Sequence, residues 1–159
     1  MKRNPQKIEA QFADWLVVCH EIGLWQPPDM TTGALWVVIP YTSPELTGAA
    51  LRHAGACTDL NVHVSIVDIQ VVPFPCPLDH PPIDKEFSRQ RLCDLLAQSG
   101  LPGRADVLYA RDWLVGFCRV LHAQSLVMLG GKKGWWPTRE DKLARGLLKA
   151  GHHVMLLHV

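Results

Sequence analysis

The sequence predicts an α/β domain, a three-layer sandwich in which helices cover both faces of a five-stranded parallel sheet. Short apolar runs alternate with stretches whose apolar residues recur three or four apart. Each helical stretch is long enough to carry the chain back for a right-handed parallel crossover. The length, 159 residues, suits one such domain with a substantial core.

The first predicted strand, residues 34–41 (ALWVVIPY), is apolar on both faces, which favours a central position between two helix layers. The second alternates Val62, Val64 and Ile66 with polar residues at its start, so we expect one face to be less covered. The third is short and expected at or near an edge. The four strands after the first are residues 61–72, 106–110, 125–129 and 154–159.

Four helices are expected between and after these strands. Ser43 followed by Pro44 predicts an N-cap and a first helical residue, and Thr138 with Asp141 predicts a capping box. In the second of these helices, which Gly100 ends, the residues expected to face inward are Phe87, Leu92, Leu95 and Leu96. The predicted helices cover residues 43–57, 83–99, 112–123 and 138–150.

Two segments fall outside this alternation. Residues 5–23 have the apolar spacing of an amphipathic helix, and residues 24–33 contain two adjacent prolines, typical of a connector. We therefore expect residues 1–33 to form an N-terminal helix and connector, and residues 34–159 to form the domain. Residues 73–82 hold five prolines and predict an irregular loop.

Composition excludes several classes of protein. The 16 basic residues are matched by 15 acidic ones, so no basic surface for nucleic acid is expected. No apolar run reaches the roughly 18 residues of a membrane-spanning helix, so we expect no membrane insertion. The five scattered cysteines form no CxxC pair, and no apolar signal core follows the basic start. A reduced, cytoplasmic protein is the expectation.

The richest candidate site is the loop predicted over residues 130–137 (GGKKGWWP). Glycines expose backbone N–H groups, lysines add positive charge and the helix beginning at Thr138 adds its dipole, a combination that favours phosphate. The loop matches neither a Walker motif nor GxGxxG, and a solvated glycine turn is the alternative. Trp135 and Trp136 fit a dimer contact, a lid over a bound ring or packing beneath the loop. The candidate phosphate residues are Gly130, Gly131, Lys132, Lys133, Gly134 and Thr138.

Other constellations predict no catalytic or metal residue. His152, His153 and His158 lack zinc-like spacing. Asp112 and His122 lie ten residues apart on one predicted helix, about 15 Å and too far for a relay. No cysteine or serine follows a strand in a nucleophile motif. Asp68, inside an apolar strand, fits either a ligand hydroxyl acceptor or a locally bonded carboxylate.

The segments VVIPYTSPE (residues 37–45) and VMLGGKKG (residues 127–134) resemble the universal stress protein family, and the element order over residues 34–159 does so too. The resemblance implies the fold of that family and of adenine nucleotide hydrolases, with strand order 3-2-1-4-5 and here an extra N-terminal helix. It also implies a site for ATP or another adenine nucleotide, a homodimer through the C-terminal strand, and an association with a membrane transporter or signalling partner.

This chain departs from the family's ATP motif. Tyr41 stands where ATP-binding members carry an acidic residue, and Ala144-Arg145 stand where they carry Gly-Ser, although Gly131 and Gly134 match. The chain thus resembles a divergent member that lacks most of the ATP motif. By this resemblance Tyr41, Thr42, Ser43 and Asp68 line the base and sugar side of the site.

Three functions remain open on these residues. The first is a non-catalytic regulatory or stress-response domain that binds a nucleotide or small anion weakly. The second is a nucleotide-dependent enzyme, such as a nucleotidyl transferase or hydrolase. The third is an interaction domain in which Trp135 and Trp136 anchor a partner.

Overall fold

A computed structural model describes residues 16–18, 33–57, 60–78, 81–82, 84–121 and 124–159. In these residues a six-stranded sheet is flanked by four helices. The strands are β1 (Leu16–Val18), β2 (Leu35–Pro40), β3 (Val62–Val71), β4 (Gly103–Ala110), β5 (Leu126–Gly131) and β6 (His153–His158). The helices are α1 (Pro44–Ala56), α2 (Lys85–Ser99), α3 (Trp113–Val120) and α4 (Arg139–Lys149).

Five of the strands are parallel, in the order β4-β3-β2-β5-β6. This is the predicted order 3-2-1-4-5, with β2 as the central strand. The fold class and topology predicted from the sequence are therefore confirmed. Two caps are confirmed as well, since Ser43 Oγ accepts from Leu46 N at 3.2 Å and Thr138 forms the capping box with Asp141.

Two apolar layers hold the helices to the sheet. On one face Val37, Ile39 and Val64 of the sheet pack with α1 and α2. On the other face Val67 and Leu129 pack with Phe117 of α3 and with α4. Strands covered on both faces explain the continuous apolar runs of the sequence. Among the described residues, no helix is long and apolar enough to cross a membrane.

The structure corrects the prediction at the N-terminus. Leu16–Val18, which lie inside the predicted helix, form β1 and pair antiparallel with Leu108–Ala110 of β4. The unpaired backbone of edge strand β4 and the adjacent β-branched Val17 and Val18 favour this pairing over helix. The remainder of the predicted helix and most of the connector lie outside the described residues.

Three further predictions are corrected. Strand β4 begins at Gly103, not at residue 106, because residues 103–105 already pair with residues 64–66 of β3. Phe87 is 67% exposed although it was expected inward, since the inner face of α2 is formed by Ser88 and Leu92. Gly130 and Gly131, predicted to begin a loop, are the last two residues of β5.

Candidate functional site

The carboxyl ends of β2 and β5 lie side by side at the point where the strand order reverses. Val38 of β2 pairs with Val127 of β5, and each strand then leads into a loop and a helix. Open parallel sheets bind ligands at this reversal point. The predicted site residues after β2 and after β5 are therefore brought to one edge of the sheet.

Gly130 and Gly131 serve packing and strand pairing. Gly130 pairs with Leu157 and Gly131 with His158, and both glycines are buried. A Cβ atom on Gly130 would lie 2.3 Å from the backbone oxygen of Leu46, so only glycine lets α1 approach β5 this closely. The prediction that both glycines form a tight turn with exposed N–H groups is wrong, because the ladder to β6 continues through them.

The exposed loop begins only after Gly131. Lys132, Lys133 and Gly134 are exposed, and residues 132–137 form one wall of a pocket of about 250 Å³. The opposite wall consists of Asp141 and Arg145 from α4 and His158 from β6. Three basic side chains, Lys132, Lys133 and Arg145, therefore face one small opening, which is the arrangement expected of an anion site.

Thr138 is engaged in the cap of α4. Its Oγ accepts from Asp141 N at 3.2 Å, while Asp141 Oδ2 accepts from Thr138 N at 2.7 Å. These bonds to Thr138, with the nearby His158 and Arg145, hold the pKa of Asp141 below its ordinary value. A fixed carboxylate thus occupies the start of α4, so the positive charge of the pocket comes from side chains more than from the helix dipole.

The residues after β2 are enclosed. Tyr41 is buried, its N–H donates to Val67 O at 2.8 Å, and the guanidinium of Arg91 lies 4.8 Å from the centre of its ring. Burial raises the pKa of the Tyr41 hydroxyl. Thr42 N donates to Thr47 Oγ1 at 3.4 Å, and Ser43 caps α1.

Asp68, a residue of β3, lies beside Tyr41 and is 4% exposed. Gln70 Nε2 donates to its Oδ2 at 2.5 Å. Burial raises the pKa of the Asp68 carboxyl, while the bond from Gln70 and the charges of Arg91 and Arg139 oppose that shift. The carboxylate is satisfied within the protein, in accord with the local-bonding alternative, and its role as a ligand contact stays a prediction.

The site therefore has two sides. The closed side consists of Tyr41, Thr42, Asp68 and Arg91, and the open side consists of residues 132–137 with Arg145 and His158. An exposed ion pair joins the loop after β5 to the first turn of α1, with Lys132 Nζ 3.4 Å from Glu45 Oε2. In the described part of the chain, no cluster of three or more His, Cys, Asp or Glu residues is placed to hold a metal ion.

Sequence reasoning did not assign Arg91, Arg145 or His158 to the site. Arg145 follows Asp141 by four residues, so both lie on the α4 face that meets the loop. His158 reaches the loop because it pairs with Gly131, a consequence of the strand register. The helical spacing could have identified Arg145, whereas Arg91 and His158 required the tertiary structure.

Comparison with known proteins supports the fold at low sequence similarity. A universal stress protein from Archaeoglobus fulgidus superposes with a TM-score of 0.52 at 18% identity, covering 77% of this chain and 92% of that one. An L-lactate dehydrogenase from Enterococcus mundtii matches 80% of this chain and 38% of its own at 13% identity, with a TM-score of 0.36, too low to support a conclusion. No family model and no curated protein sequence matches the chain.

The chain accordingly has a universal-stress-protein-like fold. The match shows the arrangement of strands and helices, and it extends to nearly the whole length of the archaeal protein. What the site binds has to be argued from the residues of this chain.

Proposed function

We propose that the protein is a non-catalytic regulatory module of the stress-response kind, acting in the cytoplasm, that binds a nucleotide or another phosphate-bearing anion weakly. The observation that carries this proposal is the pocket of about 250 Å³ that Lys132, Lys133 and Arg145 line, with Lys132 Nζ also 3.4 Å from Glu45 Oε2. The volume suits phosphate groups better than a whole nucleotide, because drug-sized ligands occupy pockets of roughly 300–1,000 Å³.

We expect weak binding because the basic side chains of the pocket are exposed to solvent. All three basic side chains stand in solvent, where salt screens their charge and water competes for their hydrogen bonds. The carboxylate of Asp141 lies in the same pocket and repels an anion. A site of this kind responds to abundant anions over a millimolar range.

Selectivity for the base is expected to be small. The resemblance leads us to expect base and sugar beside Tyr41, Thr42, Ser43 and Asp68. Because the guanidinium of Arg91 covers the Tyr41 ring, we propose that base and sugar make few contacts with these residues. The binding energy then comes mainly from phosphate. We expect inorganic tripolyphosphate to compete with ATP, and GTP to bind about as well as ATP.

Calorimetry with ATP, ADP, AMP, cyclic nucleotides and tripolyphosphate tests the proposal. We expect Lys133→Gln and Arg145→Gln each to weaken triphosphate binding by about five- to tenfold, the loss of one charge-assisted contact. Lys149→Gln, at the far end of α4, is the matched control and should bind as the parent does. No heat change and no thermal shift at millimolar nucleotide would remove the ligand from the proposal.

The same proposal includes a homodimer through β6. His153–His158 form an edge strand in the described sheet, and Met155 and Val159 are exposed beside it. Pairing with a second copy would cover this edge. Native mass spectrometry reports the number of subunits and any copurified ligand in one spectrum, and a monomer at micromolar concentration would contradict the dimer.

A transporter or signalling protein is the partner class that suits such a module.

The alternative function, a nucleotide-dependent enzyme, would be recognised by turnover of ATP. Magnesium-dependent turnover of ATP that disappears in Lys132→Ala or Asp68→Ala would replace the regulatory proposal with a nucleotide-dependent enzyme.

A further inference from the structure

Two adjacent tryptophans stand in solvent on the open side of the site. Trp135 is 100% exposed and Trp136 is 84% exposed. By contrast, Trp36 packs against His63, and Trp113 packs against Phe117 and Arg139. An indole left wholly in water is unfavourable, so a pair of them on one loop indicates a surface that something covers.

Positive charge surrounds these indoles. Residues 132–137, here called the tryptophan loop, contain Lys132 and Lys133 directly before Gly134 and the two tryptophans. Arg145 of α4 lines the pocket behind the loop. Val159, 57% exposed, adds apolar surface beside it, because its N–H donates to Gly131 O at 2.9 Å.

The apolar area of the tryptophan loop is small for a protein interface. Two indoles cover at most about 500 Å², whereas a stable protein–protein contact buries about 800 Å² on each partner. The surrounding basic side chains would have to be desolvated or matched by acidic groups on such a partner. A lipid surface sets no such minimum contact area, and anionic headgroups supply the matching negative charge.

An anionic lipid surface matches both features. Tryptophan prefers the headgroup level of a bilayer, where its ring is in apolar surroundings and its N–H stays hydrated. Lysine and arginine nearby are attracted to anionic headgroups and can extend their charged ends toward water. One short loop supplies both signals, which is what reversible peripheral binding requires.

We propose that the tryptophan loop docks on anionic lipid headgroups, with Trp135 and Trp136 at the interface and Lys132, Lys133 and Arg145 on headgroup phosphate or carboxylate. The loop lies on the surface of the bilayer and does not cross it. This inference goes beyond the proposed function, because it needs the two indoles and does not need nucleotide to bind. The lysines serve phosphate in either setting.

Sedimentation of the full chain with vesicles tests the inference. Vesicles of phosphatidylcholine containing phosphatidylserine should bind the protein, and vesicles of phosphatidylcholine alone should bind it far less. Replacing both indoles, Trp135→Ser with Trp136→Ser, should reduce binding by at least about tenfold, since the interfacial anchor is lost. Lys133→Gln should reduce it by about fivefold, the share of one cation.

Matched controls separate docking from general surface effects. Phe87→Ser removes an exposed aromatic ring on α2, and Lys149→Gln removes a cation at the far end of α4. Both should bind vesicles as the parent does. Calorimetry of the unaltered chain with tripolyphosphate in the absence of vesicles measures anion binding separately, so failure of lipid docking is distinguishable from failure of anion binding.

Three results would overturn the inference. The first is that the parent stays in the supernatant with phosphatidylserine vesicles at low salt. The second is that the double tryptophan variant binds those vesicles as well as the parent does, which would leave charge alone as the cause. The third is that this variant has a lower mass than the parent by light scattering without lipid, which would assign the indoles to a protein interface.

Discussion

At the carboxyl ends of β2 and β3 the polar side chains are buried or half-buried, whereas Lys132, Lys133 and His158 at the ends of β5 and β6 stand in solvent. On the closed side Arg91 lies over Tyr41 and Gln70 holds Asp68. On the open side Lys132, Lys133, Trp135 and Trp136 line an exposed pocket. From this difference we infer that the closed side contributes mainly to stability, and we propose that ligand recognition depends on the open side.

The largest expected effect concerns the boundary between the two sides. Gly130→Ala would place a methyl group against the Leu46 backbone, forcing α1 away from β5. We expect the free energy of unfolding to fall by about 3 kcal/mol, near the upper range for overpacking. Urea denaturation measures it.

Gly134→Ala is the control for that experiment, because the added Cβ would meet nothing closer than Trp136 O at 3.9 Å. Its effect should stay within about 0.5 kcal/mol. If the two variants lose equal stability, the packing role given to Gly130 is wrong.

A smaller effect is expected at the start of α4. Thr138→Ala removes the hydroxyl that accepts from Asp141 N and donates to Asp141 Oδ2, while the bond from the backbone N–H of residue 138 to Oδ2 is kept. The loss of stability should be about 1 kcal/mol, a typical value for an N-cap. Thr138→Ser keeps the hydroxyl and should lose much less stability when the two variants are compared by thermal denaturation. Equal losses of stability in the alanine and serine variants would argue against the cap.

Asp68→Asn should change the pH dependence of stability. Because burial raises the pKa of Asp68 above its ordinary value of 3.8, the folded state binds the extra proton. The stability that the neutral carboxyl gives the parent is complete below the ordinary pKa and is lost as the pH rises through the raised pKa.

The asparagine side chain does not titrate. The melting temperature of the variant, relative to that of the parent, should therefore rise as the pH rises through that window. Its amide oxygen can still accept from Gln70. A variant that is less stable than the parent at neutral pH would show that the charged carboxylate is needed in the fold.

The smallest effect belongs to the link between the sides. Lys132 and Glu45 are both exposed, so Lys132→Gln should cost less than about 0.5 kcal/mol of stability. Its effect on anion binding should be larger than its effect on stability. A melting temperature several degrees lower would mean that the ion pair between Lys132 and Glu45 contributes more stability than its exposure indicates.

The sequence predicted the architecture because apolar runs and caps are local signals. Ser43-Pro44 and Thr138 with Asp141 begin helices where their chemistry predicts. Leu16–Val18 could not be predicted, because a three-residue strand depends on the exposed edge of β4 and not on its own pattern. Phe87 fits a helical face in sequence, yet only the packing of α2 decides which face is inside.

For the site, the sequence indicated the basic loop but not which of its predicted residues are buried. Glycines are equally consistent with an open turn and with a close approach between backbones, and Gly130 proved to be the second kind. The reading of Asp68 likewise needed Gln70 and Arg91 in three dimensions. Residue type was informative, whereas orientation and burial depended on tertiary contacts.

The most direct test of the central claim is a nuclear magnetic resonance titration of the labelled full chain with ATP, following backbone amide shifts. We expect the shifts to cluster at residues 132–137, Arg145 and His158, and the amides of Tyr41, Asp68 and Arg91 to stay nearly unchanged. Shifts concentrated at Tyr41, Asp68 and Arg91, or no shifts at millimolar ATP, would contradict binding at the open side.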